Sequence, residues 1–201
     1  MDDSSTKKGK VVIVSGPSGV GKTTICREVA KRIGNTYLSV STTTRPIAKG
    51  ETNGKDYWFI SKEEFQERVR KGQFLEHAKV FGHLYGTPKD KVEQALNEGK
   101  TVILEIDVHG AKQAKIVYPD ATMVFILPLT AKTLAERMGR RGRDSSEAAE
   151  ERLGGASSEI AVAWQYYQHM VINDDLEQAV KEVVQVIQGT EGVCPAGGGA
   201  R

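Results

Sequence analysis

Residues 10–24, KVVIVSGPSGVGKTT, constrain this chain more than any other stretch. Residues 11–14 are apolar without a break, as in a strand buried on both faces of a parallel sheet. Gly16, Pro17, Ser18, Gly19, Val20, Gly21, Lys22 and Thr23 then match G-x-x-x-x-G-K-[ST] at every fixed position. Thr24 follows, and Ile25, Val29 and Ile33 mark one face of a helix. Strand, glycine loop and helix stand in the order a phosphate cradle requires. Glycines allow successive backbone N–H groups to converge on an anion, and the helix start adds its positive dipole end. Lys22 is expected to reach the β- and γ-phosphates of a nucleoside triphosphate, and the Thr23 hydroxyl to ligate Mg²⁺. A mere glycine-rich turn before a helix does not require all of these positions at once.

The chain is long enough for one α/β domain with small insertions, at 201 residues. Its 28 basic and 26 acidic side chains leave a net charge of +2, which gives no global electrostatic reason to expect nucleic acid or a membrane as partner. Cys26 and Cys194 supply neither a disulfide framework nor zinc spacing. The start, MDDSSTKKGK, lacks an apolar targeting region, and no apolar run approaches a membrane span, so a cytoplasmic location is expected. The oligomeric state is left open.

Residues 1–9 read as a flexible N-terminus, and the glycine-rich 190–201 as a flexible tail. Between them strands and helices alternate, which predicts a parallel sheet with helices on both faces. Strands are expected at 36–42, 56–60, 101–107 and 122–129, and at HMVIN near the end. Ser61 and Glu64 form a capping box for a helix that ends at Gly72; Pro88 opens another that Gly99 stops. Residues 43–88 break the alternation with short turns and read as a small antiparallel excursion. Gly154 and Gly155 weaken a long helix predicted near 147–167 by about 2 kcal/mol relative to alanines. Ligands of such sheets bind beyond the carboxyl ends of the strands. The glycine loop, the excursion, Glu105, Asp107 and the arginine-rich segment should therefore face one cleft.

Transfer of a phosphoryl group between nucleotides gathers several negative charges in one place. Guanidinium groups suit that task, because they bind phosphate in a planar fork and stay charged. Arg45 and the arginines at 137, 140, 141, 143 and 152 are the candidates. Those between glycines suit a lid that closes over the reacting group. The four histidines show no metal-binding spacing.

The chain resembles the guanylate kinases from about residue 10 to 189, through GPSGVGKTT, SVSTTTR, GETNGKDYWF, FLEHAKVFGHLYGT, ILEIDVHGAKQ and VINDD. The resemblance implies transfer of the ATP γ-phosphoryl group to GMP with Mg²⁺. It also implies a P-loop core, a GMP-binding insertion at about 41–88 and a mobile lid at about 137–155. By the same resemblance Arg45, Tyr57 and Tyr85 hold the GMP phosphate, while Ser41, Glu76 and Thr87 read guanine. Glu105 and Asp107 lie near the nucleotide and the hydrated metal, with Thr23 and Asp107 as metal ligands. The family often has Asp where Glu105 stands. Lys22, Arg45, Arg141 and Arg152 form the catalytic set, and Asn173 with Asp174 borders the adenine.

The sequence departs from the family at Ala48, where a second arginine of the GMP-phosphate pair usually stands. Lys49 beside it can offer a point charge but not a planar fork. Two other readings are open: a catalytically inactive interaction module of the same fold, and a kinase with another phosphate acceptor. Intact Lys22 and Thr23 argue against the first, and Glu76 with Ser41 against the second.

Overall fold

The computed structural model describes residues 8–80, 82–139 and 146–190, with only the backbone course for 137–139 and 146–153. The expectations for residues 1–7 and 191–201 and for Arg140, Arg141 and Arg143 therefore lie outside the described residues, as do the side chains of Arg137 and Arg152. Of the described terminal residues, Gly9 N–H donates to Leu96 O at 2.9 Å and Thr190 N–H to Gln185 O at 3.0 Å.

The core is a five-stranded, all-parallel sheet with the order β2-β7-β1-β8-β9. Its strands are β1 (Lys10–Ser15), β2 (Thr36–Leu38), β7 (Thr101–Glu105), β8 (Thr122–Leu127) and β9 (His169–Ile172). Because successive side chains point to opposite faces, each apolar run fills two cores at once. Val11, Ile13, Val102, Leu104, Met123 and Phe125 join one cluster. Val12, Val14, Ile103, Val124 and Ile126 join the other.

Helices cover both faces. α1 (Lys22–Ile33) and α7 (Leu176–Gln188) pack together over the second cluster, contributing Ile25, Cys26, Val29, Val180, Val183 and Ile187. α3 (Lys89–Asn97) and α4 (Val108–Val117) cover the first with Val92, Leu96, Ala111 and Ala114. α5 (Ala131–Gly139) leads towards α6 (Ser146–Tyr166), which packs against α4, α5 and β8. The predicted weakness at Gly154-Gly155 does not interrupt α6. The helix passes through both glycines, and buried Ala156 and Ala163 beyond them tie it to the core.

Residues 42–88 build a second sheet with the order β4-β3-β6-β5. It contains β3 (Thr42–Thr43), β4 (Trp58–Phe59), β5 (Phe74–Val80) and β6 (His83–Pro88), with α2 (Lys62–Arg70) between β4 and β5. The hairpin β5–β6 and the pair β3–β6 are antiparallel, whereas β3 and β4 pair in parallel over two residues. Ser61 caps α2 by accepting from the Glu64 N–H at 3.1 Å, and Gly72 leaves the helix at φ 63°.

Besides β7 and β8, which each stop two residues short of the expectation at Glu105 and Leu127, two strands differ more deeply. The single strand over 36–42 is two: β2 belongs to the parallel sheet and β3 to the second one. After Leu38 only the Ser39 N–H still reaches the parallel sheet, at Ile103 O. The strand at 56–60 shrinks to Trp58–Phe59, because a turn ending with Gly54 N–H to Tyr57 O occupies the residues before it.

Candidate active site

The phosphate loop leaves β1 and enters α1 at the carboxyl end of the central strand. Gly16, Gly19 and Gly21 adopt φ of 151°, 84° and 103°, a region that side chains with a Cβ rarely enter. Space matters as well: a Cβ on Gly16 would lie 2.5 Å from Ile126 O, and one on Gly21 2.5 Å from Asn173 Nδ2. The Lys22 ammonium folds back over the loop, donating to Gly16 O at 2.5 Å and Pro17 O at 3.0 Å. Thr24 is exposed at the start of α1.

Asn173, at the end of β9, fastens the loop from outside. Its Nδ2 donates to Val20 O at 2.7 Å, and its backbone N–H donates to Leu127 O. The side chain is 6% exposed, so this bond is shielded from water. Asp174 next to it is exposed, and Asp175 caps α7 by accepting from Gln178 N–H at 2.8 Å.

Beside the loop, β7 ends at Glu105. The Thr23 hydroxyl donates to Glu105 Oε1 at 2.6 Å, bringing two hard oxygen atoms together at the start of α1. Asp107 caps α4, its Oδ1 accepting from Gly110 N–H at 2.7 Å. That bond commits one carboxylate oxygen to the helix start. It is Glu105, not Asp107, that touches Thr23.

The second sheet supplies the opposite wall. The register sets Glu76 of β5 directly across from Thr87 of β6, whose hydroxyl donates to Glu76 Oε1 at 2.6 Å. Glu76 is 5% exposed, and burial pushes its carboxyl up to about 7, with Thr87 drawing it down and nearby Asp107 raising it. Tyr85 and Tyr57 meet edge to face at 5.8 Å between ring centres. Burial, with Glu105 and Tyr85 next in weight, pushes the Tyr57 hydroxyl up to about 12, so it remains a neutral donor. Ser41 is half-buried, its carbonyl accepting from Trp58 N–H at 2.9 Å.

Arg45 is held from three sides. Its Nη2 reaches both Glu51 oxygens at 2.8 and 3.0 Å, Nη1 donates to Pro46 O at 2.9 Å, and Cζ lies 5.5 Å from the Tyr57 ring centre. Glu51 Oε2 also accepts from Ala48 N–H at 2.8 Å, which draws the backbone of the departing position into the same cluster. An ion pair of 2.7 Å between Arg27 of α1 and Asp56 links the core to the second sheet.

Two acidic residues join this cleft that sequence reasoning did not single out. Glu51 sits six residues after Arg45, and a carboxylate so close to a proposed phosphate-binding arginine was the available signal. Glu159 stands on α6 between buried Ala156 and Ala163, next to partly buried Ile160. Burial raises its carboxyl to about 7, Lys22 draws it down, and Asp107 adds to the rise. A charged residue inside an otherwise apolar helical stripe was the signal there. Among the described residues no group of three or more His, Cys, Asp or Glu could hold a metal, and no helix is long and apolar enough to cross a membrane.

A glycine loop closed by Lys22 between a central parallel strand and a helix defines a P-loop nucleotide-binding protein. The guanylate kinase family model matches residues 8–190, and the chain belongs to that family. It is 46% identical over 180 residues to the guanylate kinase of Carboxydothermus hydrogenoformans, covering 90% of this chain and 88% of that one. The guanylate kinase of Synechocystis is 42% identical over 92% of this chain and 96% of its own. The crystal structure of guanylate kinase from Anaplasma phagocytophilum superposes with a TM-score of 0.76 at 31% identity, over 92% of this chain and 87% of that one.

Proposed function

We propose that the protein transfers the γ-phosphoryl group of ATP to GMP, giving ADP and GDP. The observation that carries this reading is the buried Glu76 carboxylate, held by Thr87 beside Asp107. Guanine carries two adjacent donors, N1–H and the 2-amine, and a carboxylate offers two acceptor oxygens side by side. Their hydrogen bonds favour the ionised form, against the burial that raises its pKa.

In this reading the loop amides and Lys22 hold the β- and γ-phosphates. Arg45 with Tyr57 and Tyr85 holds the GMP phosphate, and Ser41 and Thr87 complete the guanine pocket. A GMP phosphate oxygen attacks the γ-phosphorus in line while the bond to the β-phosphate oxygen breaks, so no protein nucleophile is needed. Lys22 leaves its two carbonyl partners to follow the developing charge. Arg141 and Arg152 would meet the phosphates from the lid, about 137–155, closing against the insertion at about 41–88.

The Thr23 and Glu105 oxygens are hard donors of the kind Mg²⁺ takes, and a Mg²⁺ site commonly completes itself with water and substrate phosphates. Thr23 and Asp107 would hold Mg²⁺, with Glu105 beside Thr23. When bound, the ion neutralises charge on the β- and γ-phosphates. Asn173 serves the adenine side by fixing the loop through Val20, with exposed Asp174 at its edge. We assign the protein to the cytoplasm, with ATP and GMP as its small-molecule partners. No observation favours an inactive interaction module.

ADP release with ATP, Mg²⁺ and each nucleoside monophosphate in turn tests the reading. GMP should support turnover, and Lys22→Ala should reduce kcat at least about a hundredfold without loss of fold. An unchanged kcat in folded Lys22→Ala would remove Lys22 from the reaction.

A further inference from the structure

We propose that Gly110 is a specificity-determining positioning residue, whose missing side chain leaves the space in which the Glu76 carboxylate stands. The inference rests on the reading that Glu76 accepts the guanine donors.

Gly110 lies in the first turn of α4, and α4 packs against β5, the strand that carries Glu76. A Cβ at Gly110 would fall 2.4 Å from Glu76 Oε2, 2.9 Å from its Cδ and 3.5 Å from its Cγ. The first two distances are shorter than real Cβ contacts, so the carboxylate would have to move. Its other oxygen is tied to the Thr87 hydroxyl at 2.6 Å, so the displacement turns the carboxylate about that bond. The pair of oxygens then no longer presents itself to guanine as before.

The backbone of Gly110 does not itself require glycine, for its φ is not among the positive ones. Glycine in a helix is ordinarily the poorer choice beside alanine. Gly154 and Gly155 of α6 show the contrasting case, since a Cβ on either meets nothing within 4 Å. The obstacle at Gly110 is the far end of one flexible side chain, which the fold can tolerate moving. The cost therefore falls on recognition and not on stability. Through its N–H to Asp107 Oδ1, Gly110 also fixes the second carboxylate of this wall.

The test compares wild type, Gly110→Ala, Glu76→Gln, the double variant and His109→Ala, an exposed neighbour in the same helical turn. For each, KM for GMP and ATP, kcat and Tm are measured. Gly110→Ala should raise the GMP KM about tenfold or more, the worth of one hydrogen bond to a charged group. Its ATP KM should stay within about twofold and its Tm should not fall, since alanine favours the helix. His109→Ala should leave the GMP KM unchanged. In the Glu76→Gln background, adding Gly110→Ala should change the GMP KM by less than about threefold, because the two residues act as one unit.

A wild-type GMP KM in Gly110→Ala overturns the inference while leaving the role of Glu76 intact, provided Glu76→Gln lowers the preference for GMP over AMP. An equal rise in both backgrounds, or a Tm well below wild type, overturns it too, because either places the effect elsewhere than at Glu76. An unaltered GMP-over-AMP preference in Glu76→Gln overturns the underlying reading itself.

Discussion

Asn173 and Val20 stand 153 residues apart in the chain, yet a buried amide-to-carbonyl hydrogen bond of 2.7 Å joins them. It ties the phosphate loop to the last strand of the parallel sheet. Glycine freedom makes a loop that can cradle phosphate, but that freedom is lost when the cradle orders. A bond from outside the loop lowers this cost before ATP arrives.

Asn173→Ala removes the amide that donates to the shielded Val20 carbonyl. The variant should lose about 0.5–1.5 kcal/mol of stability, the worth of one hydrogen bond. Its ATP KM should rise with little change in the GMP KM, since the proposed reading puts ATP, and not GMP, against this loop. Urea titration and two-substrate kinetics check both parts; an equal rise in the two KM values would show a general loosening of the cleft.

Ala48 lies in the loop that carries Arg45, the proposed GMP-phosphate ligand, and its N–H is bonded to Glu51, the partner of Arg45. Ala48→Arg should lower the GMP KM about tenfold with the ATP KM unchanged, since a charge-assisted contact is worth about 1.5–3 kcal/mol. If exposed Lys49 already supplies that charge, Lys49→Ala raises the GMP KM instead, and Ala48→Arg does little. No response to either substitution would separate this turn from the GMP phosphate.

Glu76 gives the free protein a definite pH signature. Burial, relieved in part by Thr87 and reinforced by Asp107, raises its carboxyl from 4.5 to about 7 in the folded chain. A group raised on folding stabilises the protein below its unfolded value and loses that contribution as pH climbs through the folded one. Its share of stability should therefore decline between about pH 4.5 and 7. Glu159, raised similarly by burial, acts in the same window, so the informative quantity is the Tm of wild type minus that of Glu76→Gln. That difference should fall across the window and then level off. On the proposed reading, in which guanine takes the ionised Glu76 carboxylate, GMP binding near neutral pH should also expel a proton, on top of the phosphate's own ionisation near 6. A flat Tm difference together with equal proton release by wild type and Glu76→Gln would contradict this.

The local signals were the legible ones. The glycine loop, the Ser61 cap and the apolar runs of β1, β7 and β8 each follow from a few adjacent residues, and the structure places them accordingly. The break between Leu38 and Thr42 was not legible, because alternation continues through it while the pairing partner changes from β7 to β6. The continuity of α6 was hidden for a similar reason. Propensity argues against Gly154-Gly155, and only tertiary contacts at Ala156 and Ala163 override it. At the site, Glu76, Thr87, Arg45 and Tyr57 could be named from motifs, but Glu51, Glu159 and Gly110 could not. The approach of Gly110 to Glu76 arises where α4 meets β5, and the Arg45–Glu51 clamp depends on how one loop folds back on itself.

Base selection gives the most direct test. Adenine sets a bare N1 lone pair where guanine offers N1–H, and it has no 2-amine, so AMP would face the Glu76 carboxylate unpaired. A site built on a substrate's polar groups rejects an analogue lacking them by roughly 10⁴-fold. The measurement is kcat/KM for GMP, IMP and AMP with saturating ATP and Mg²⁺, in wild type and in Glu76→Gln. GMP should exceed AMP by about that factor in wild type, with IMP between them. Glu76→Gln should narrow the gap, because an amide offers a donor as well as an acceptor. The same order and the same ratio in both proteins would contradict the assignment of Glu76 as the residue that reads guanine.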